Sequence, residues 1–394
     1  MISSIFILMN TETSMSKNPI KQESSGTLSL DVLLRMKKHS ISLAPAHISA
    51  FCTLLLLLLS CIFQYSASTH LHNHHFTNHL LRILAAMFVA FLVSKVSPKW
   101  FKNLSFLYYL IGVGLLILVH FKGLTIKGAS RWLAIGPIRV EPSEFMKIAC
   151  PLYMAHCLSY LKLPLHLSHF LFCANIILVP FFLIAKQPDL GTGIIVLSIG
   201  LLQIFISGLS YRSIASLLLI LIASIPLLWN LLHTYQQNRI LTLLDPSSDP
   251  LGAGYHIMQS KIAIGSGGIW GKGLLGSTQV FYQFLPEFHT DFIFALISEE
   301  SGLFGASLIL FLLCTLCMSI LVMALQAKSI FAKLMLSAIA FYFFICSCIN
   351  TAMVCGIIPV VGVPLPFFSY GGSNLMVCGV ALGIVWHLHR IEYD

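Results

Sequence analysis

Charged side chains are scarce in this sequence. Only 9% of its 394 residues are Asp, Glu, Lys or Arg, against roughly 25% in soluble globular domains, and just 14 are acidic. That shortage excludes a water-soluble enzyme, and the high hydrophobicity excludes a disordered chain. A basic run with interleaved aromatics is also missing, so the formal charge of +9 carries no nucleic-acid reading. Lys and Arg instead flank apolar stretches, as an inner-leaflet bias dictates. No cleavable signal sequence is legible, because Ile2–Met9 lacks a basic start and a small-residue cleavage site. The eleven cysteines all fall inside apolar runs, where they act as small hydrophobes. Cys314 and Cys317 form a C-x-x-C pair without His partners, so neither a disulfide set nor a metal site follows.

Apolar residues are what the chain has: 57% of it, in unbroken runs of about 20 rather than in alternating segments of about ten. The fold class expected is all-α, a polytopic integral membrane protein with about ten transmembrane helices. The spans read as 47–68, 79–98, 104–121, 143–161, 168–186, 189–208, 213–233, 292–325, 332–357 and 372–388. The eighth is too long for one crossing, so its start is expected to be interfacial or re-entrant, with the true span nearer 303–325. Residues 1–46 form a polar, flexible cytoplasmic tail, 47–394 the membrane domain, and 234–291 a long outer loop between helices 7 and 8. Positive charges at Lys17, Lys21, Arg35, Lys95, Lys99, Lys102, Lys162, Arg212, Lys328, Lys333 and Arg390 put both termini in the cytoplasm, whereas the outer loops 69–78 and 358–371 hold no Lys or Arg.

The exceptions to that rule carry the chemistry. Lys122, Lys127, Arg131, Arg139 and Lys147 cluster near the third connection, and Arg239, Lys261 and Lys272 lie in the long loop. Cations on the disfavoured side point to an anionic ligand. Four polar, Gly/Pro-rich segments fall on that same side: Lys127–Lys147, Lys186–Thr192, Tyr235–Asp291 and Gly356–Gly372. Irregular backbone at membrane depth survives only when buried in protein or lining a wet cavity, so the four are expected to share one outward cavity. Pro142-Ser143 and Pro188-Asp189 are helix-start signals. Capping does not account for Glu144 and Lys147, which sit three apart on one helical turn where ionisable groups are functional candidates.

Two tempting motifs fail. Gly265-Ser-Gly-Gly268 with Gly271-Lys-Gly273 lacks the Ser or Thr that a P-loop needs after its Lys, so no ATPase is read here. His70, His72, His74, His75 and His79 crowd the first outer loop without acidic or Cys partners at ligand spacing, and a solvated loop is the better reading than zinc. The sharpest constellation is Leu285-Pro-Glu-Phe-His-Thr-Asp291, which runs directly into an apolar helix. Asp291 there fits a helix cap, a salt-bridge partner or a general base.

Taken together, the motifs resemble the SEDS family (shape, elongation, division, sporulation). They are Lys127-Gly-Ala-Ser-Arg-Trp132, Pro142-Ser-Glu144, Gln187-Pro-Asp-Leu-Gly-Thr192, Asp249-Pro-Leu-Gly-Ala-Gly-Tyr255, Gln259–Gly268, Phe284-Leu-Pro-Glu-x-His-Thr-Asp-Phe-Ile-Phe294 and Pro364-Leu-Pro-Phe-x-Ser-Tyr-Gly-Gly372. The resemblance covers essentially everything after residue 46. Gly252-Ala-Gly-Tyr-His-Ile257 and Gly271-Lys-Gly273 are nearer the rod-shape elongation branch than the division branch. Ser301 departs from the pattern, standing where a Leu is common.

The resemblance implies ten transmembrane helices and a peptidoglycan glycosyltransferase at the outer face of the cytoplasmic (inner) membrane. Such an enzyme polymerises lipid II onto a nascent lipid-linked glycan beside a class B penicillin-binding protein. It implies Asp291 as the catalytic carboxylate, with Trp132 and Glu144 at other functional positions. Lys127, Arg131 and Lys147 are the candidates to hold pyrophosphate, since cations stabilise charge on a leaving group. Asp189, His289 and Ser369 complete the expected substrate-binding set. A divalent cation, Mg2+ or Mn2+, could assist, but no ligand set is legible. A lipid II flippase and a non-catalytic scaffold that activates a penicillin-binding protein are the competing readings.

Overall fold

The computed structural model describes residues 28–71, 75–126, 129–136, 138–161, 167–208, 219, 223, 229–230, 234–245, 249 and 252–393. The chain divides into two compact units, Met1–Ile41 and Ser42–Asp394. In the first, the described residues are helical from Leu28 onward, so helix occupies part of the 1–46 tail.

The long apolar runs form helices, because with no water available the backbone must satisfy its own hydrogen bonds. In order they are α1 (Leu28–Leu71), α2 (His75–Lys95), the short α3 (Pro98–Asn103), α4 (Ser105–Lys122), α5 (Pro142–Tyr160), α6 (Leu167–Ala185), α7 (Leu190–Ile206), α8 (Thr234–Leu244), α9 (Ala253–Ser266), α10 (Thr278–Phe281), α11 (Ile293–Gln326), α12 (Ile330–Val354) and α13 (Gly372–Tyr393). Among the described residues, seven helices are long and apolar enough to cross a membrane: those in α1, α2, α4, α6, α11, α12 and α13. The expected span at 143–161 matches α5, whose Glu144 and Lys147 break its hydropathy, and that at 189–208 matches the shorter α7. The expected span at 213–233 lies almost wholly outside the described residues.

Local chemistry sets the boundaries. Asp189 caps α7 through Thr192 N at 3.5 Å, Ser329 caps α12 through Ala332 N at 3.2 Å, and Pro142 opens α5, where a missing N–H costs nothing. The all-α expectation needs one amendment. Between α4 and α5 lies a three-stranded antiparallel sheet of β1 (Leu124–Ile126), β2 (Ala129–Ile135) and β3 (Ile138–Val140). Its pairing sets Leu124 opposite Trp132 and Ala134 opposite Arg139. Antiparallel pairing lets these short strands satisfy one another's backbone groups.

α5 sits centrally, packed against α4, α6, α7, α12 and α13, and is buried along most of its length. α11 has 34 residues, about 51 Å at roughly 1.5 Å each, too long for a hydrocarbon core of about 30 Å. It is broken at Gly302, whose φ of 65° is left-handed. Residues 293–300, before the break, are buried inside the protein, whereas Leu303, Phe304, Leu308 and Phe311, after it, expose apolar side chains. The expected division near residue 303 is therefore present.

Candidate active site

Asp291 sits in the turn that joins Leu285-Pro286 to α11. Thr290 N and Phe292 N both donate to Glu287 O at 3.2 Å, curling the chain ahead of the helix. Three successive carbonyls of this turn are then gripped by other parts of the protein. His289 O accepts from Gln64 Nε2 of α1 at 3.0 Å and from Tyr370 N at 2.9 Å. Thr290 O accepts from Ser369 Oγ at 2.7 Å, and Asp291 O from Asn350 Nδ2 of α12 at 2.9 Å. Each bond contributes about 0.5–1.5 kcal/mol net, and together they fix the backbone while the Asp291 side chain reaches a cavity. Gly362 faces it: a Cβ there would stand 3.5 Å from Asp291 Oδ2.

The opposite wall is built from charges that face one another. Glu144 and Lys147 form a fully buried ion pair on the first turns of α5, and the Lys147 ammonium lies 5.9 Å from the centre of the Tyr342 ring. Arg131 on β2 pairs with Asp189 at 3.5 Å and donates to Pro188 O. Ser143 Oγ donates to Asp189 Oδ2 at 3.3 Å and more weakly to Glu141 Oε1 at 3.4 Å. Burial, followed by the neighbouring carboxylates of Asp189 and Glu144, holds Glu141 well above the usual carboxylate range, only partly offset by Lys147 and Arg131.

Between the walls lies a cavity of about 680 Å³, within the range of about 300–1,000 Å³ typical of small-molecule sites. All four polar segments line it: Arg131, Trp132, Glu141 and Glu144 from the first, Pro188 and Thr192 from the second, Arg239, Glu287, Thr290 and Asp291 from the third, and Val360–Gly362 with Pro364 and Ser369–Gly371 from the fourth. Two guanidinium groups thus share the cavity with Asp291, and Arg239 Nη1 donates to Val360 O at 2.8 Å. Among the described residues no group of three or more His, Cys, Asp or Glu is placed to hold a metal ion.

The family model for cell cycle proteins of the FtsW, RodA and SpoVE type matches residues 45–394. This chain belongs to that family. It is 45% identical over 309 residues to peptidoglycan glycosyltransferase MrdB of Escherichia coli K12, covering 78% of this chain and 84% of the relative. Stage V sporulation protein E of Bacillus subtilis is 34% identical over 365 residues, covering 88% and 97%. Among solved structures, a chain of a peptidoglycan synthase complex that coordinates polymerization and crosslinking superposes with a TM-score of 0.76 at 27% identity, covering 88% of this chain and 98% of that one. The rod shape determining protein RodA of Thermus thermophilus gives 0.67 at 25% identity, with coverage of 88% and 97%.

Within this family architecture the sequence-derived site residues separate. Asp291, Arg131, Trp132, Glu144 and Ser369 line the cavity. Lys147 does not: it is buried beneath the wall and its ammonium is taken up by Glu144, which removes it from the anion-holding set. Asp189 is likewise buried, as cap and ion-pair partner. The His289 ring lies 5.8 Å from Tyr370 and 5.4 Å from His75, between centroids. The Ser369 hydroxyl, donating to Thr290 O, also accepts from Leu365 N at 2.8 Å, so it braces the connector against the Asp291 turn. Lys127 lies outside the described residues. Arg239 stood out in the sequence only as one of several cations on the disfavoured side, and Glu141, Glu287 and Tyr370 only as members of the polar segments; the clamps Gln64 and Asn350 were missed. The signal for the clamps was present, since an amide within an apolar run is costly unless it is bonded.

Proposed function

We propose that this multi-pass membrane protein polymerises lipid II into glycan strands at the outer face of the inner membrane, in cell elongation and shape maintenance. The observation that carries the reading is Asp291, held by its backbone with its carboxylate in a cavity that also contains the Arg131 and Arg239 guanidiniums. The chain is a peptidoglycan glycosyltransferase by family and by its relatives.

Both substrates are polyprenyl-linked pyrophosphates. The apolar helix faces accommodate their lipid tails, while the cavity takes the reacting sugars and the pyrophosphate. Asp291 removes the proton from the acceptor GlcNAc 4-hydroxyl, and that oxygen attacks the donor anomeric carbon. The bond from this carbon to the pyrophosphate oxygen breaks, and undecaprenyl pyrophosphate departs with the electron pair. Arg131 and Arg239 stabilise the charge that grows on it. With both termini in the cytoplasm the cavity opens outward, next to a class B penicillin-binding protein that crosslinks the product.

The test is purified protein with lipid II in detergent, comparing wild type with Asp291→Asn. Polymer from the wild type and almost none from the variant supports the reading. Equal polymer from both would remove Asp291 from the chemistry and favour a scaffold, and no polymer from a folded wild type would favour a transporter.

A further inference from the structure

A helix interrupted at one residue loses the i→i−4 bonds that cross the break. At the Gly302 break in α11 those bonds are replaced from outside. Leu303 N and Phe304 N, whose regular partners are Glu299 O and Glu300 O, donate to Gly268 O at 2.9 Å and Ile269 O at 3.1 Å. The two vacated carbonyls accept from Lys272 N at 3.0 Å and Gly273 N at 2.9 Å. The glycine-rich stretch that fails as a phosphate loop is thus spliced into α11. Gly271 and Gly302, with φ of 78° and 65°, make the approach: a Cβ on either would overlap the backbone of the other strand of the splice.

The side chains around the splice add a charged lock. Glu299 is fully buried, and its carboxylate accepts from Lys272 Nζ at 2.6 Å, Thr278 Oγ1 at 2.9 Å, Thr278 N at 3.0 Å and Ser277 Oγ. Lys272 Nζ also donates to Thr278 Oγ1 at 2.8 Å. Glu300 accepts from Leu275 N at 3.1 Å and from Ser66 Oγ of α1. Residues 278 and 299 are therefore tied together, and the chain between them is a closed loop that carries Asp291. Val280, Leu285 and Phe288 are buried within it. Ser369, Tyr370, Gln64 and Asn350 hold its tip, and Glu299 with Lys272 closes its neck.

We propose that the Glu299–Lys272 pair is a positioning device for the reaction, holding the neck of the 278–299 loop so that the Asp291 carboxylate stays aligned in the cavity. The proposal rests on Asp291 being the catalytic base. Neither member of the pair lines the cavity, so the pair acts through Asp291. A misplacement of about 1 Å in a reacting group can cost about 100-fold in rate, so loosening the neck is expected to lower turnover and leave substrate affinity alone.

The experiment uses full-length protein in detergent with lipid II, comparing wild type, Lys272→Met, Lys272→Arg, Glu299→Gln and Asp291→Asn. Lys272 is partly exposed, so Lys272→Met removes the charge without leaving a hole. The expected result for Lys272→Met is a kcat about tenfold or more below wild type with KM unchanged, and a displaced acid limb in the pH profile of kcat. Amide exchange over 285–292 should be faster by more than any fall in melting temperature from the stranded Glu299 carboxylate accounts for, and Lys272→Arg should restore most of the kcat. Wild-type kcat in both Lys272→Met and Glu299→Gln, alongside an inactive Asp291→Asn, would overturn the lock while leaving the function intact. So would a loss of kcat that only tracks loss of folded protein, with the pH profile unmoved. Activity persisting in Asp291→Asn would instead overturn the function on which the lock depends.

Discussion

The two walls of the cavity are held by different forces. On the Asp291 side, neutral donors grip backbone carbonyls: Ser369, Asn350, Gln64 and the Tyr370 amide bind residues 289–291, and the one carboxylate of that trio projects into the cavity. On the Glu144 side, side-chain charges neutralise one another: Lys147 with Glu144, Arg131 with Asp189. Neutral clamps on the main chain give geometry, whereas buried ion pairs are costly to desolvate and break badly when one partner is lost. The first wall is arranged for proton transfer, and the second gives a rigid, polar face from which Arg131, unlike Lys147, still lines the cavity.

The contrast predicts effects that differ in kind. Asp291→Asn should lower lipid II polymerisation by about 10²–10⁴-fold while the protein still accumulates, because the clamps from Ser369, Asn350, Gln64 and Tyr370 hold main-chain carbonyls that the substitution leaves in place. Lys147→Ala should act on folding, since a buried carboxylate left without its partner costs about 3–5 kcal/mol. Yield and melting temperature would report it. Adding Glu144→Gln to Lys147→Met should recover much of the yield, and a double variant no better than the single one would sink the reading of this wall as a paired-charge scaffold. Ser369→Ala strands Thr290 O and Leu365 N and should cost about 1–3 kcal/mol, read as a fall in melting temperature together with lower kcat.

Glu141→Gln is the mildest change, and its sign depends on pH. The carboxyl of Glu141 is raised above its ordinary 4.5 in the folded protein, so the folded state keeps a proton that the unfolded chain releases. Its stabilising contribution is complete below 4.5 and is lost as pH rises towards the folded value. Glutamine cannot titrate, so the variant should show a flatter dependence of melting temperature on pH, gaining on wild type as pH rises. Parallel curves would show that Glu141 ionises normally.

Legibility in the sequence followed the range of the interactions. The helices at 75–95, 105–122, 330–354 and 372–393 were readable because hydropathy is local, and the convergence of four polar segments on one cavity was readable because irregular backbone needs a wet or protein-lined place. The Asp291 turn stood out as a polar cluster running into an apolar helix. What stayed hidden depends on contacts across long stretches of chain. Lys147 and Arg131 look alike as cations in the sequence, and only packing separates the buried one from the one lining the cavity. Gln64 and Asn350 sit within apolar runs, and the carbonyls of the Asp291 turn that they hold lie more than 50 residues away. The sheet at 124–140 was missed because three-residue strands carry too little alternation to register.

The splice at Gly302 leaves a mark on which sequences this fold can accept. At both Gly271 and Gly302 an added methyl would collide with main chain, not with a side chain that could be trimmed elsewhere. No second-site change can make room, so the two positions should behave as a coupled veto: in a saturation library each tolerates glycine alone, and no suppressor arises at the other.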